Sequence, residues 1–289
     1  MMMNLVLQGQ SGDSAAVEQL ANLAALAKPG HVAKLAPLGG PTALRCEGVK
    51  ATPALRAAID KAALEAGLDA TFIAPGRTLA DFRLVAMDMD STLITIECID
   101  EIADMQGLKP QVAAITEAAM RGDLDFSASL QQRVALLQGL DASALQRVLD
   151  ERLQLSPGAE QMRAGFKAAG LKTLLVSGGF TFFANAMKER LGLDYAHANA
   201  LEIVDGKLTG RVLGTVVDAE EKKRTIERLC RDLGIATQQT IVIGDGANDL
   251  KMMAIAGLSV AFRAKPVVRA QADVALNFVG LDGVLTLLA

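Results

Sequence analysis

Two aspartates stand two residues apart in Asp88-Met89-Asp90-Ser91-Thr92, directly after the apolar run Leu84-Val85-Ala86-Met87. That run reads as a buried strand, so the carboxylates should emerge where the strand ends and the chain turns toward solvent. There the first aspartate can attack phosphorus while the second, on the same loop, handles the proton. Two more polar clusters follow apolar runs of the same kind: Ser177-Gly178-Gly179 after 173–176, and Gly244-Asp245-Gly246-Ala247-Asn248-Asp249 after 240–243. Ligands of open α/β sheets bind beyond the carboxyl ends of the strands, so these clusters, distant in sequence, are expected to converge. Taken singly, each is also what a strand needs to begin a turn.

Charge balance decides what such a convergence would hold. Several carboxylates in one pocket repel unless a hard cation sits among them, and oxygen ligands with room for waters suit Mg²⁺. Asp249 has a second reading as a helix-start carboxylate, because Asn248 and Asp249 would fall in the first turn of a helix beginning after Gly246. Phosphoryl transfer gathers negative charge on the transferred oxygens and therefore also needs cations and N–H donors. Glu220-Glu221-Lys222-Lys223-Arg224 offers lysines, although by itself the run reads by default as the solvated start of a helix.

The elements that must position these residues fall into two patterns. From about residue 82 strand and helix alternate, which indicates a parallel α/β sheet with strands at 84–87, 173–176, 240–243 and 258–261. Residues 97–155 carry helix-spaced apolar positions and almost no strand signal, an insertion suited to a lid. Ser156-Pro157 should cap and open a helix ending at Gly170, and Asp205-Gly206 should turn a hairpin across 202–208. Ahead of this, residues 1–76 read as βαββαβ: a strand at 5–7, a helix from Ser14 to about Lys28, strands at 32–38 and 43–49, a helix over 53–66 and a strand at 70–73. That is the ferredoxin-like order, and Pro75-Gly76-Arg77-Thr78 is the expected linker.

Composition narrows the classes. The 289 residues are 51% hydrophobic with a net charge of -4, ample for a core and poorly suited to nucleic acid or an anionic membrane. Cys46, Cys98 and Cys230 form no CxxC pair, so neither a disulfide framework nor a structural zinc site is expected, and a reducing cytoplasm fits. No uninterrupted apolar stretch approaches the roughly 18 residues needed to span a bilayer, and no targeting segment is read at the start. His31 and His197 lack a neighbouring Ser or Cys motif, which argues against histidine catalysis.

The Asp88 to Thr92 motif, Ser177-Gly178-Gly179, the Lys222 segment and the 244–249 motif occur in the order and form of the haloacid dehalogenase superfamily, and residues 82–289 resemble its phosphoserine phosphatases. The resemblance implies a Rossmann-like parallel sheet with an inserted helical (C1-type) cap at about 97–155, its core being 82–96 and 156–289. The preceding α+β unit is similar to ACT-type domains, which implies an amino-acid effector, or a homodimer formed through it. Further implied are Asp88 as nucleophile, Asp90 as acid and base, and Mg²⁺ held by Asp88, the Asp90 carbonyl and Asp245, with Asp249 ordering its waters. Ser177, Gly178, Gly179, Lys222 and Asn248 would bind the phosphate, with Lys223 the alternative to Lys222. Glu97 would face the substrate ammonium, Arg133 the carboxylate, and Met120 and Phe126 would line the pocket.

Phe126, Leu130 and Arg133 fall at i, i+4 and i+7, so an arginine should project from an apolar helix face, where it can either reach solvent or grip a carboxylate. The implied reaction is hydrolysis of O-phospho-L-serine through an aspartyl phosphate, the last step of serine biosynthesis. Its rivals are another phosphatase or phosphotransferase of the superfamily and, from another class, a phospho-accepting signalling module.

Overall fold

The computed structural model describes residues 1–10, 14–35, 41–120 and 123–289, with backbone only for Ser14, Ala15 and Met120. Two compact units partition the chain: Met1–Val85 with Ser156–Lys172 and Ile235–Ala289, and Ala86–Leu155 with Thr173–Gly234.

The first unit begins with β1 (Met2–Gly9), α1 (Ser14–Ala27), β2 (His31–Leu35), β3 (Thr42–Lys50), α2 (Pro53–Glu65) and β4 (Asp69–Ile73). The strands form an antiparallel sheet of order β2-β3-β1-β4, so the ferredoxin-like order is present; the expected strand over 32–38 begins at His31, and 36–40 lie outside the described residues. Local chemistry sets α2: the Thr52 hydroxyl accepts the Leu55 N–H at 3.2 Å, Pro53 opens the first turn, and Gly67 follows in the left-handed region. Leu5 and Leu7 point into a core with Leu20, Leu23 and Ile59 of the two helices.

Val6 and Gln8 on the other face of β1 are buried as well, because the strands face chain from beyond residue 276. Asp69, 1% exposed, accepts the N–H groups of Asn277, Phe278 and Val279 at 2.7, 2.9 and 3.0 Å and the Asn277 carboxamide at 3.2 Å. Arg45 donates to the carbonyls of Thr286 and Leu287. Burial raises the Asp69 carboxyl above its usual range while these donors oppose the rise.

The larger sheet has seven strands in the order β11-β10-β9-β5-β6-β7-β8, comprising β5 (Leu84–Met87), β6 (Lys172–Phe180), β7 (Tyr195–Val204), β8 (Lys207–Leu213), β9 (Thr240–Gly244), β10 (Leu258–Phe262) and β11 (Val274–Leu276). Pairings β6–β7, β9–β10 and β10–β11 are parallel, whereas β7–β8 is the antiparallel hairpin whose turn residues Asp205 and Gly206 both have positive φ. The sequence reading missed β11 and the first half of β7. β11 has three residues, and β7 alternates small and polar side chains, so neither carries a strong strand signal.

In the second unit the insertion folds as α3 (Cys98–Asp104), α4 (Lys109–Met120), α5 (Phe126–Ala135) and α6 (Ser143–Glu151). Its α5–α6 connection is stitched to the hairpin by Gly139 N–H to Leu208 O, Leu208 N–H to Leu140 O and Ala142 N–H to Gly206 O, each 2.8 Å. Next, α7 (Ala159–Ala168) starts later than expected: Gly158, in the left-handed region, precedes it, and Ser156-Pro157 form the turn before. α8 (Thr181–Leu191) follows β6, and α9 (Ala219–Leu233) is capped by the Asp218 carboxylate on Glu221 N–H at 2.8 Å. Lys222, Thr225, Ile226 and Cys230 form the buried stripe of α9, so the spacing that buries Ile226 also takes Lys222 inside. Three short helices, α10 (Leu250–Met253), α11 (Pro266–Arg269) and α12 (Gly283–Leu287), complete the fold. No helix among the described residues is long and apolar enough to cross a membrane.

Candidate active site

The carboxyl end of β5 delivers Asp88 into a buried position, 5% exposed. Its Oδ1 accepts the Met89 N–H at 2.7 Å, and its Oδ2 lies 2.7 Å from Lys222 Nζ. Lys222 is 0% exposed, so its charge is spent inward. Lys223 instead lies along the surface of α9 within 4.0 Å of Glu220 and 3.8 Å of Glu227, which separates the two lysines that sequence left as alternatives.

Beyond Asp88 the chain makes a tight turn over Met89–Leu93, with Asp90 extended and Ser91 left-handed at φ 55°. A non-glycine residue in that region costs on the order of 1 kcal/mol, and the turn is held by Ile94 N–H to Met89 O at 3.0 Å and Ser91 N–H to Ile96 O at 3.2 Å. The turn aims the Asp90 carboxylate back at the end of β6, where a Cβ on Gly179 would stand 2.9 Å from Asp90 Oδ2 and 3.1 Å from Ser177 Oγ. Glycine there is a condition for Asp90 and Ser177 to meet. Burial, reinforced by the Glu97 charge, pushes the Asp90 carboxyl up to about 7, against the opposing pull of Cys98 and Lys222. An acid that keeps its proton near neutrality suits leaving-group protonation.

The other expected site residues lie in and just before the inserted helices. Glu97 is exposed and accepts the Ser91 hydroxyl at 2.7 Å, so the strained turn also fixes this carboxylate. Phe126 opens α5 behind its cap Asp125, and its ring would stand 2.7 Å from a Cβ on Gly178. Arg133, half-buried on the same helix, makes a long 3.4 Å bond from Nε to Ser129 O. Burial lowers its guanidinium from the ordinary value, opposed by the nearby charges of Asp100, Glu97 and Asp90. Met120 ends α4, and its side chain lies outside the described residues.

At the end of β9 the Asp249 carboxylate accepts the N–H groups of Asp245 at 3.1 Å and Gly246 at 3.0 Å. Asp249 thus does act as a helix-start carboxylate, and Ala247–Asp249 form a brief tight turn that runs directly into the short α10 rather than opening a full helix. A Cβ on Gly244 would stand 2.4 Å from Asp249 Oδ2, so glycine is required at that strand end. The Asn248 carboxamide folds over Gly246. Asp88, Asp245 and Asp249 each offer one carboxylate oxygen, and these oxygens lie within 4.8 Å of one another. Three clustered hard oxygen donors are consistent with a metal ion.

Sequence reasoning did not single out Asn199, which is 1% exposed on β7 and bonded to the backbone of two separate segments. The available signal was a lone carboxamide between Ala198 and Ala200 in a strand. Ser91 lies within the first motif, and its bond to Glu97 ties that motif to the start of the insertion.

The haloacid dehalogenase-like hydrolase family matches residues 82–257. A phosphoserine phosphatase of Polaromonas sp. is 54% identical over 226 residues, covering 76% of this chain and 96% of that protein. The crystal structure of a haloacid dehalogenase family hydrolase from Salmonella enterica serovar Typhi superposes with a TM-score of 0.88 at 34% identity, covering 99% of this chain and 98% of the other. A phosphoserine phosphatase solved as its phospho-aspartyl intermediate analogue superposes with a TM-score of 0.68 at 40% identity over 72% of this chain and 99% of its own. The chain therefore belongs to the haloacid dehalogenase-like hydrolases and, within them, to the phosphoserine phosphatase family.

Proposed function

We propose that the protein hydrolyses O-phospho-L-serine to L-serine and phosphate, the last step of serine biosynthesis, with Asp88 as nucleophile and Asp90 as acid and then base. The observation that carries this reading is the buried Asp88 carboxylate held 2.7 Å from Lys222 Nζ in a chain of this family. Asp88 attacks phosphorus, the bond to the serine oxygen breaks, and Asp90 gives its proton to that oxygen. Water, deprotonated by Asp90, then hydrolyses the aspartyl phosphate. Ser177, the Gly178 and Gly179 backbone, Lys222 and Asn248 bind the phosphoryl oxygens. Glu97 faces the ammonium and Arg133 the carboxylate, while Phe126 and Met120 line the space between.

Mg²⁺ is the cation this oxygen set suits: the Asp88 carboxylate, the Asp90 carbonyl and Asp245 would hold it, and Asp249 would order its waters. When bound, it offsets the negative charge of the phosphate as the carboxylate approaches. Buried, free Cys46, Cys98 and Cys230 fit a cytoplasmic setting.

Residues 1–76 are read as an ACT-like unit that binds an amino-acid effector or joins two copies, on the strength of their βαββαβ order. Titration calorimetry of the full chain with L-serine and other amino acids, together with sedimentation, tests this; no heat and a monomer would leave the unit a structural role. The catalytic reading is tested by phosphate release with Mg²⁺ across L- and D-phosphoserine, phosphothreonine and sugar phosphates. No release from L-phosphoserine, or undiminished activity in Asp88→Asn, would overturn it.

A further inference from the structure

Two segments of the second unit must hold their spacing if phosphoryl oxygens are to be bound on both sides: the end of β6 at Ser177-Gly178-Gly179 and the start of α9, which carries Lys222. They are separated in sequence by α8, β7 and β8, and neither is long enough to fix the other through its own chain. One side chain bridges them. Asn199 Nδ2 donates to Gly178 O at 2.8 Å, and Asn199 Oδ1 accepts the Val217 N–H at 2.8 Å.

The bridge reaches the reacting groups on both sides. Gly178 precedes Gly179, whose N–H donates to Ser177 Oγ at 2.9 Å. Val217 precedes Asp218, the residue that caps α9 and so sets where Lys222 begins its reach to Asp88. The site is built for a carboxamide: it presents one carbonyl and one N–H to a side chain that is 1% exposed. Neither a carboxylate, which lacks the donor, nor a hydrocarbon can satisfy both backbone groups, and an unsatisfied buried group costs about 1–3 kcal/mol. Gly178 and Val217 are also close directly, since a Cβ on Gly178 would stand 3.5 Å from Val217 O.

We propose that Asn199 is a positioning residue of the phosphoryl site, setting the distance between the Gly178 backbone and Lys222. This rests on the proposed phosphatase chemistry. Because it touches backbone and not substrate, its effect should fall on the geometry in which phosphorus has five oxygens more than on ground-state binding. Because it acts on the phosphoryl side only, its loss should weaken every phosphate monoester alike.

The experiment compares the wild-type full chain with Asn199→Asp and Asn199→Ala, using phosphoserine and an aryl phosphate as substrates and orthovanadate and inorganic phosphate as inhibitors, each variant with a thermal melt. In Asn199→Asp the acceptor is kept and the donor lost at nearly unchanged volume, so it remains informative if Asn199→Ala fails to fold. The expected result is a fall in kcat of about tenfold to a hundredfold on both substrates with little change in KM, and a comparable loss of vanadate inhibition exceeding that of phosphate inhibition. Folded variants with kcat and vanadate inhibition within about twofold of wild type would overturn the proposal. So would a loss of activity matching the unfolded fraction, with vanadate inhibition of the remainder unchanged. Wild type inactive on phosphoserine but active on the aryl phosphate would sink the substrate reading alone, leaving the Asn199 comparison intact.

Discussion

The proposed phosphoryl end of the site and its proposed amino-acid end are built differently. At the phosphoryl end the groups are buried and held by the protein itself: Asp88 between Met89 N–H and Lys222, Ser177 by Gly179 N–H, Asp249 by two backbone N–H groups. At the other end Glu97 is exposed and accepts the Ser91 hydroxyl, and Arg133 is half-buried with a long 3.4 Å bond to the Ser129 carbonyl, short of what a five-donor guanidinium can make. The first arrangement is preorganised for charge that develops in a reaction, where reorientation would be costly. The second, on the proposed reading, serves recognition, where groups nearer the surface meet a ligand. Chemistry and selectivity should therefore separate on mutation.

The largest effect should come from Asp88→Asn, which removes the proposed nucleophile and is expected to lower kcat on the order of 10⁴-fold or more for phosphoserine and an aryl phosphate alike, read by initial-rate phosphate release. Next, Lys222→Ala should lower kcat about 10² to 10³-fold on both substrates, and by stranding a buried carboxylate it should cost about 3 kcal/mol in denaturant unfolding. Arg133→Ala should separate the two ends: a loss of about 10²-fold in kcat/KM for phosphoserine against little change for the aryl phosphate. Equal losses would remove Arg133 from carboxylate recognition. The smallest effect should be that of Ser91→Ala, which removes one partner of Glu97 and is expected to weaken phosphoserine turnover only about fivefold, with the aryl phosphate unaffected.

The two ends also differed in how much the sequence disclosed. Asp88, Asp90, Ser177 and Asp245 follow apolar strands, and the strand-end rule predicts where such residues lie in the fold, so their placement was legible residue by residue. Lys222 was not legible from local chemistry, because a Glu-Glu-Lys-Lys-Arg run reads as a solvated helix start; only the apolar stripe containing Ile226 and Cys230 shows which lysine turns inward. At the cap end, periodicity placed Phe126, Leu130 and Arg133 on one face, but the tie from Ser91 to Glu97 depends on a left-handed backbone at a serine, which composition does not announce. Asn199 escaped because its partners are backbone atoms of residues 21 and 18 positions away. The same limit hid β11, a three-residue strand defined by its neighbour β10 rather than by its own pattern.

The buried Asp69 has a consequence for the order in which the protein takes shape. Its first N–H donor lies 208 residues further along the chain, so on the ribosome the N-terminal sheet is complete long before the backbone that satisfies its carboxylate exists. Until then Asp69 must keep its water, and the sheet face that will close over it stays wet. Docking of residues 277–279 is thus the event that dries this sheet face, making its maturation contingent on chain that is synthesised 208 residues later.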